Sequence, residues 1–116
     1  MVVDDDDGMN RAVQRLLKAA GFSAVTFPSA EALLQDSAAS HAACLVLDIN
    51  LPGLSGFELY RQLAHLNPQP PVIFITAHDD PESQARATNA GAIAYLTKPF
   101  EGRFLLAAIK RALAPA

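Results

Sequence analysis

The strongest constraint on this chain is a rhythm. Short apolar runs at Met1-Val2-Val3, Ala24-Val25-Thr26-Phe27, Cys44-Leu45-Val46-Leu47, Val72-Ile73-Phe74-Ile75 and Ile93-Ala94-Tyr95-Leu96 alternate with segments of helical periodicity. Met9, Ala12, Val13, Leu16, Leu17 and Ala20 are spaced as one face of a helix, which Gly21 stops. Ser29 is an N-cap for a short helix through Gln35. Ser55 and Glu58 form a capping-box pair at the head of a helix from Gly56 to Leu66, closed by Asn67-Pro68. Asp80-Pro81 opens a helix to about Ala90, with Gly91 as its stop. Phe104, Leu105, Ala108, Ile109 and Ala112 mark a last amphipathic helix. Uninterrupted apolar strands are buried on both faces, as in a parallel sheet covered by helices. Strict βα alternation therefore predicts a doubly wound α/β fold, with residues 1–116 as one domain.

Composition narrows the function classes. A chain of 116 residues with 51% hydrophobic and 18% charged residues can bury a core, so disorder is excluded. A net charge of -3 is no footprint for nucleic acid. No apolar run approaches the ~20 residues of a membrane span. The Met1-Val2-Val3-Asp4 start lacks a basic, then apolar, leader, so a cytoplasmic protein is expected. Cys44 is the single cysteine and reads as a small buried hydrophobe.

The chemistry lies at the strand ends. In open α/β sheets ligands bind beyond the carboxyl ends of the strands. There the first strand reaches Asp4-Asp5, the third Asp48 with Asn50 two residues on, the fourth Thr76-Ala77 and the fifth Thr97-Lys98-Pro99. Three carboxylates on one edge repel, so either some protonate or a hard cation joins them. An all-oxygen site suits Mg²⁺. A carboxylate oxygen of Asp48 could attack a phosphoryl group, with Thr76 and Lys98 supplying a hydroxyl donor and a point charge. Singly, each residue has a plain reading: a solvated acidic stretch, a surface lysine, a loop-capping threonine. Asp6 and Asp7 suit the cap of the first helix. His78, His41 and His65 read by themselves as surface residues.

Together, Val2-Val3-Asp4-Asp5, the segment Leu47-Asp48-Ile49-Asn50-Leu51-Pro52-Gly53-Leu54-Ser55-Gly56, Ile75-Thr76-Ala77, Gly91-Ala92, Tyr95-Leu96 and Lys98-Pro99-Phe100 resemble the receiver domains of two-component response regulators. The match covers the whole chain in order and spacing. The resemblance implies a flavodoxin-like (βα)5 fold with strand order 2-1-3-4-5. It implies Asp48 as phosphoacceptor, and Mg²⁺ held by Asp5, Asp48 and the backbone carbonyl of Asn50, with Asp4 acting through water. Thr76, with Ala77 beside it, and Lys98 would bind the phosphoryl group. Tyr95 would be the switch aromatic, Asn50 and His78 would tune phosphoryl lifetime, and Lys98-Pro99 would be cis. The implied donor is a phosphohistidine on a sensor histidine kinase or phosphotransfer protein. The fourth helix, fifth strand and fifth helix would form the output face, through which a homodimer can form.

Two other functions remain open at this stage. A receiver that has lost phosphorylation would serve only as an interaction module. A haloacid dehalogenase-type phosphohydrolase also uses a strand-end aspartate, but it wants a second acid where Asn50 stands. The chain is either a stand-alone receiver or a piece of a longer regulator. Only three residues precede the acids, so Asp4 and Asp5 are expected to be less firmly held than Asp48, with modest Mg²⁺ affinity.

Overall fold

A computed structural model describes residues 1–36, 41–66 and 68–114. Five parallel strands form one sheet in the order β2-β1-β3-β4-β5. They are β1 (Val2–Val3), β2 (Thr26–Phe27), β3 (Leu45–Asp48), β4 (Val72–Thr76) and β5 (Ala94–Thr97). The helices between and after them are α1 (Asp7–Ala19), α2 (Ala30–Leu34), α3 (Gly56–Gln62), α4 (Pro81–Asn89) and α5 (Gly102–Leu113). The expected doubly wound fold and strand order are both present.

The period of two along each strand divides the core. Val3, Leu45, Leu47, Val72 and Phe74 pack to one side with Leu33, Phe57, Leu59 and Ala87 from α2, α3 and α4. Val2, Val46, Ile73 and Ile75 pack to the other with Val13, Leu17, Leu105 and Ile109 from α1 and α5. All residues of β3 and β4 are buried. β5 departs from the expected two-sided burial: as an edge strand it is only half-buried, and Thr97 is exposed.

The caps follow the local chemistry. Asp6 accepts from the amides of Gly8 and Met9, Ser29 from Ala32, Ser55 from Glu58 and Asp80 from Ser83. These side chains satisfy amides that have no partner within the first turn. The Glu58 carboxylate takes the Ser55 hydroxyl, not the Ser55 amide, so the box is only half of the expected reciprocal pair. Gly21 and Gly91 end α1 and α4 at φ +89° and +77°, a conformation that favours glycine. Several ends differ from the sequence reading. α1 starts earlier, at Asp7, because the Asp6 cap draws the acidic turn into the helix. β2 is reduced to two residues, and β5 is shifted one residue toward Thr97. α3 stops at Gln62 and tightens into a 3-10 turn over Leu63–His65. Asn67, expected to close that helix, lies outside the described residues.

One close approach fixes α3 against the sheet. The Gly56 amide donates to the Ile49 carbonyl at 3.1 Å. A β-carbon on Gly56 would stand 2.5 Å from the Asp48 carbonyl oxygen and 3.0 Å from its carbon. Backbone cannot yield as a flexible side chain does. Gly56→Ala is therefore expected to destabilise the fold by about 1–3 kcal/mol despite the better helix propensity of alanine. Urea unfolding measures it, and an unchanged or increased stability would show that α3 can slide outward freely.

Candidate functional site

The parallel sheet delivers five chain segments to one edge. β1 and β3 are neighbours, with Val3 in register with Leu47. The next residue after Val3 is Asp4, so it lies beside Asp48. β4 carries Thr76 in register with Thr97 of β5, and Lys98 follows. The Lys98 amide donates to the Thr76 carbonyl at 2.7 Å, and the Lys98-Pro99 bond is cis.

Asp4, Asp5 and Asp48 each bring a carboxylate oxygen within 4.8 Å of the other two. Asp4 and Asp48 are buried and Asp5 is exposed. The Lys98 ammonium lies between the buried pair, 2.7 Å from Asp4 Oδ2 and 2.9 Å from Asp48 Oδ2. The contact with Asp48 is a directed hydrogen bond. The contact with Asp4 Oδ2 is as close but departs from ideal hydrogen-bond angles. The other oxygens are held by backbone: the Asp6 amide donates to Asp4 Oδ1 and the Asn50 amide to Asp48 Oδ1, both at 2.9 Å.

The charge balance of this trio is unfavourable. Three carboxylates face one ammonium in a partly dry setting. Burial raises the Asp4 carboxyl above the ordinary range, outweighing Lys98 and the Asp6 amide, and Asp48 adds to the rise. Burial works against the Lys98 charge, but its bonds to Asp4 and Asp48 overcome this and hold the ammonium above its usual value. Such an oxygen-only cluster with excess negative charge fits a divalent cation such as Mg²⁺.

A second group of residues flanks the first. The buried Thr76 hydroxyl donates to Asn50 Oδ1 at 2.7 Å and accepts from the His78 amide at 3.1 Å. Thr76, Asn50 and His78 are thus joined, although only the backbone of His78 takes part and its residue is exposed. Ala77 lies exposed between them. Tyr95 stands in register with Phe74, two residues before Thr76. It is half-buried, and its hydroxyl is buried with no well-formed hydrogen bond among the described residues. Burial, then the Asp79 charge, pushes that phenol up. His41 and His65 are exposed and outside the site, and Cys44 is buried with its thiol pushed up to about 11 by burial.

Asp4 is held more firmly than the short first strand suggests. Its amide donates to the Phe27 carbonyl at 3.2 Å. The buried Asn10 side chain donates to the Asp4 carbonyl at 2.8 Å and to the Phe27 carbonyl at 3.4 Å, tying the ends of β1 and β2 together. Asn10 belongs to none of the sequence motifs above. The signal was there: it shares the inward face of α1 with Val13 and Leu17, where a polar residue needs a buried partner.

Residues 1–110 match the family model described as response regulator receiver domain. The chain is 44% identical over 108 residues to Nodulation protein W of Bradyrhizobium diazoefficiens, covering 93% of this chain and 48% of that protein. It is 40% identical over 112 residues to the response regulator protein TodT of Pseudomonas putida, covering 97% of this chain and 49% of that protein. The chain therefore spans about half the length of these curated relatives. Among solved structures, the BeF3-activated DrrB receiver domain superposes with a TM-score of 0.86 at 38% identity, covering 97% of this chain and 93% of that one. The response regulator StyR superposes at 0.87 with 45% identity, covering 97% of this chain and 57% of that one.

Two stability outcomes follow from the charge balance. In magnesium-free buffer, Lys98→Ala leaves two buried carboxylates without their shared cation and should lower stability by about 1–3 kcal/mol. Asp48→Asn removes one of three like charges and should raise the melting temperature. A lower melting point for Asp48→Asn would mean that attraction to Lys98 outweighs repulsion within the trio. The pH dependence has a defined sign. A carboxyl raised in the fold binds its proton more tightly folded than unfolded, so its contribution is full below the unfolded pKa of about 3.9 and declines as pH rises through the folded value. Asp4→Asn should accordingly remove a loss of stability that the parent shows on leaving the acid range, read from melts across pH.

Proposed function

The chain belongs to the response regulator receiver domain family, a signalling family, and from that premise we propose that it accepts a phosphoryl group on Asp48. The observation that carries this reading is the Lys98 ammonium shared by Asp4 and Asp48 at the sheet edge. Relatives such as TodT are response regulators, and phosphorylation on aspartate is the general property of the family.

An Asp48 carboxylate oxygen attacks the phosphorus of a phosphohistidine, and the histidine leaves with the former bonding pair. The product is an acyl phosphate on Asp48 and a free imidazole on the donor. Asp48 is suited to this role because the Asn50 amide fixes one oxygen and Lys98 orients the other. Asp5, Asp48 and the Asn50 carbonyl would hold Mg²⁺ directly, with Asp4 acting through water. The ion would neutralise charge on the transferring oxygens. Lys98 stands where a phosphoryl oxygen on Asp48 would need a cation. The same residues serve self-phosphorylation from small donors and the later hydrolysis of the acyl phosphate, whose rate Asn50 and His78 would set.

The phosphoryl group on Asp48 would carry about two negative charges where the carboxylate carried one. Thr76 would exchange its bond with Asn50 for a phosphoryl oxygen, with Ala77 moving alongside. Tyr95 would then turn inward. That changes the face built by α4, β5 and α5, where an output partner or a second copy would dock. Because the two states differ in that face, a partner that prefers one of them shifts the population.

Incubation with acetyl phosphate and Mg²⁺ should add one phosphoryl mass, labile to alkali and to hydroxylamine, lost with Asp48→Asn and strongly reduced without Mg²⁺. Beryllofluoride with Mg²⁺ should shift the amide resonances of Thr76 and Tyr95. Modification that persists in Asp48→Asn would overturn the assignment.

A further inference from the structure

Away from the acidic edge, α3 and α4 enclose a cleft of about 430 Å³ on the opposite side of the sheet from α1 and α5. Its volume lies in the range of about 300–1,000 Å³ usual for clefts that take ligands. One wall is Phe57, Tyr60, Arg61 and Ala64, and the other includes Arg86 and Asn89. The first set is spaced i, i+3, i+4, i+7 along α3 and the 3-10 turn that follows it, so it lines a trough about 10 Å long. Among the described residues no carboxylate lines it.

Both arginines stand near acids yet ion-pair with none among the described residues. Glu82 precedes Arg86 by one helical turn, the spacing of a surface ion pair. The Arg86 guanidinium instead lies over the Phe57 ring, 4.4 Å from its centroid. Glu58 precedes Arg61 by three residues, but its carboxylate takes the Ser55 hydroxyl. Stacking holds a guanidinium flat and leaves its N–H edges outward, ready to grip a carboxylate with two bonds. The ring beneath is itself fixed: Phe57 packs on Phe74 at 4.7 Å and Tyr60 meets the same ring edge-on at 6.0 Å. Each arginine also lies in the last turn of its helix, where a cation offsets the helix dipole. That effect needs no shared cleft and no ring to stack on.

We propose that the α3–α4 trough docks an acidic segment of a partner protein, with carboxylates on successive turns paired to Arg61 and Arg86. The elongated trough calls for carboxylates carried along a chain, and a positive cleft on a protein of net charge -3 selects acidic partners by contrast with the rest of its surface. The surface is distinct from the Asp48 site, shares only α4 with the α4-β5-α5 face, and does not require Asp48 to be phosphorylated.

The test is a titration of the ¹⁵N-labelled protein with a helical peptide of about three turns. It carries Glu at i, i+3 and i+7 with Leu and Ala between, and a second peptide has Gln for each Glu. Saturable amide shifts confined to residues 57–64 and 86–90 are expected for the Glu peptide, with affinity at least about tenfold lower for the Gln peptide. Arg61→Gln with Arg86→Gln should produce the same loss while circular dichroism and Asp48 phosphorylation stay unchanged. The two peptides keep the test valid on the parent chain should that double variant fold poorly. Equal binding of both peptides, shifts centred on Arg11, Arg15 and Lys18 of α1, or citrate matching the Glu peptide at equal carboxylate concentration would each overturn the proposal.

Discussion

Lys98 is the residue on which the acidic edge depends. Two carboxylates, Asp4 and Asp48, leave water almost completely, and their mutual repulsion strengthens as the surroundings dry. The fold tolerates this because one ammonium reaches both, at 2.7 Å and 2.9 Å. That ammonium is itself poorly solvated and stays charged because the two acids hold it. Neither partner is favourable alone. The pair of acids without Lys98 is a buried double negative, and Lys98 without them is a half-buried cation with no counter-charge.

Such mutual dependence needs accurate placement, and parallel β pairing supplies it. β1 and β3 are adjacent, so the residues just past Val3 and Leu47 arrive side by side. Their neighbours β4 and β5 bring Thr76 and Lys98 to the same edge. Three contacts then prevent the loops from drifting. Asn10 ties the ends of β1 and β2 together, Gly56 lets α3 pass against the Asp48 carbonyl, and the Lys98 amide is fixed to Thr76. Core packing on both faces of the sheet, centred on Phe74, Ile73 and Leu47, keeps the strand ends from moving separately.

Most of this was legible in the sequence for specific reasons. Apolar runs four or five residues long, each ending in a polar residue, identify β3 and β4 and point to Asp48 and Thr76 directly. Caps were readable because Asp6, Ser29, Ser55 and Asp80 each have a short side chain that reaches an amide two or three residues on. The two-sided burial of β5 was misread because an apolar run does not reveal whether a strand is central or at an edge; only the sheet order decides that. Strand length alone understates the hold on Asp4. The anchor is Asn10, distant from the strand in pairing terms and recognisable only as a polar residue on an apolar stripe. The stacking of Arg86 on Phe57 had no sequence signal, since it joins two helices whose relative placement comes from the sheet.

The same balance makes the edge responsive. A site with three carboxylates and one ammonium has negative charge left over, which a divalent cation can relieve. Under the proposed function, a phosphoryl group on Asp48 would return negative charge to the same place and give Lys98 a new acceptor in competition with Asp4 and Asp48. Thr76 is poised between these arrangements: its hydroxyl already holds Asn50 and the His78 amide, two bonds that must rearrange if it turns toward Asp48. A tighter, electrically neutral cluster would be more stable and less able to change. The residual charge at Asp4, Asp5 and Asp48 thus costs the resting fold stability, and a cation held at this edge would relieve part of that cost.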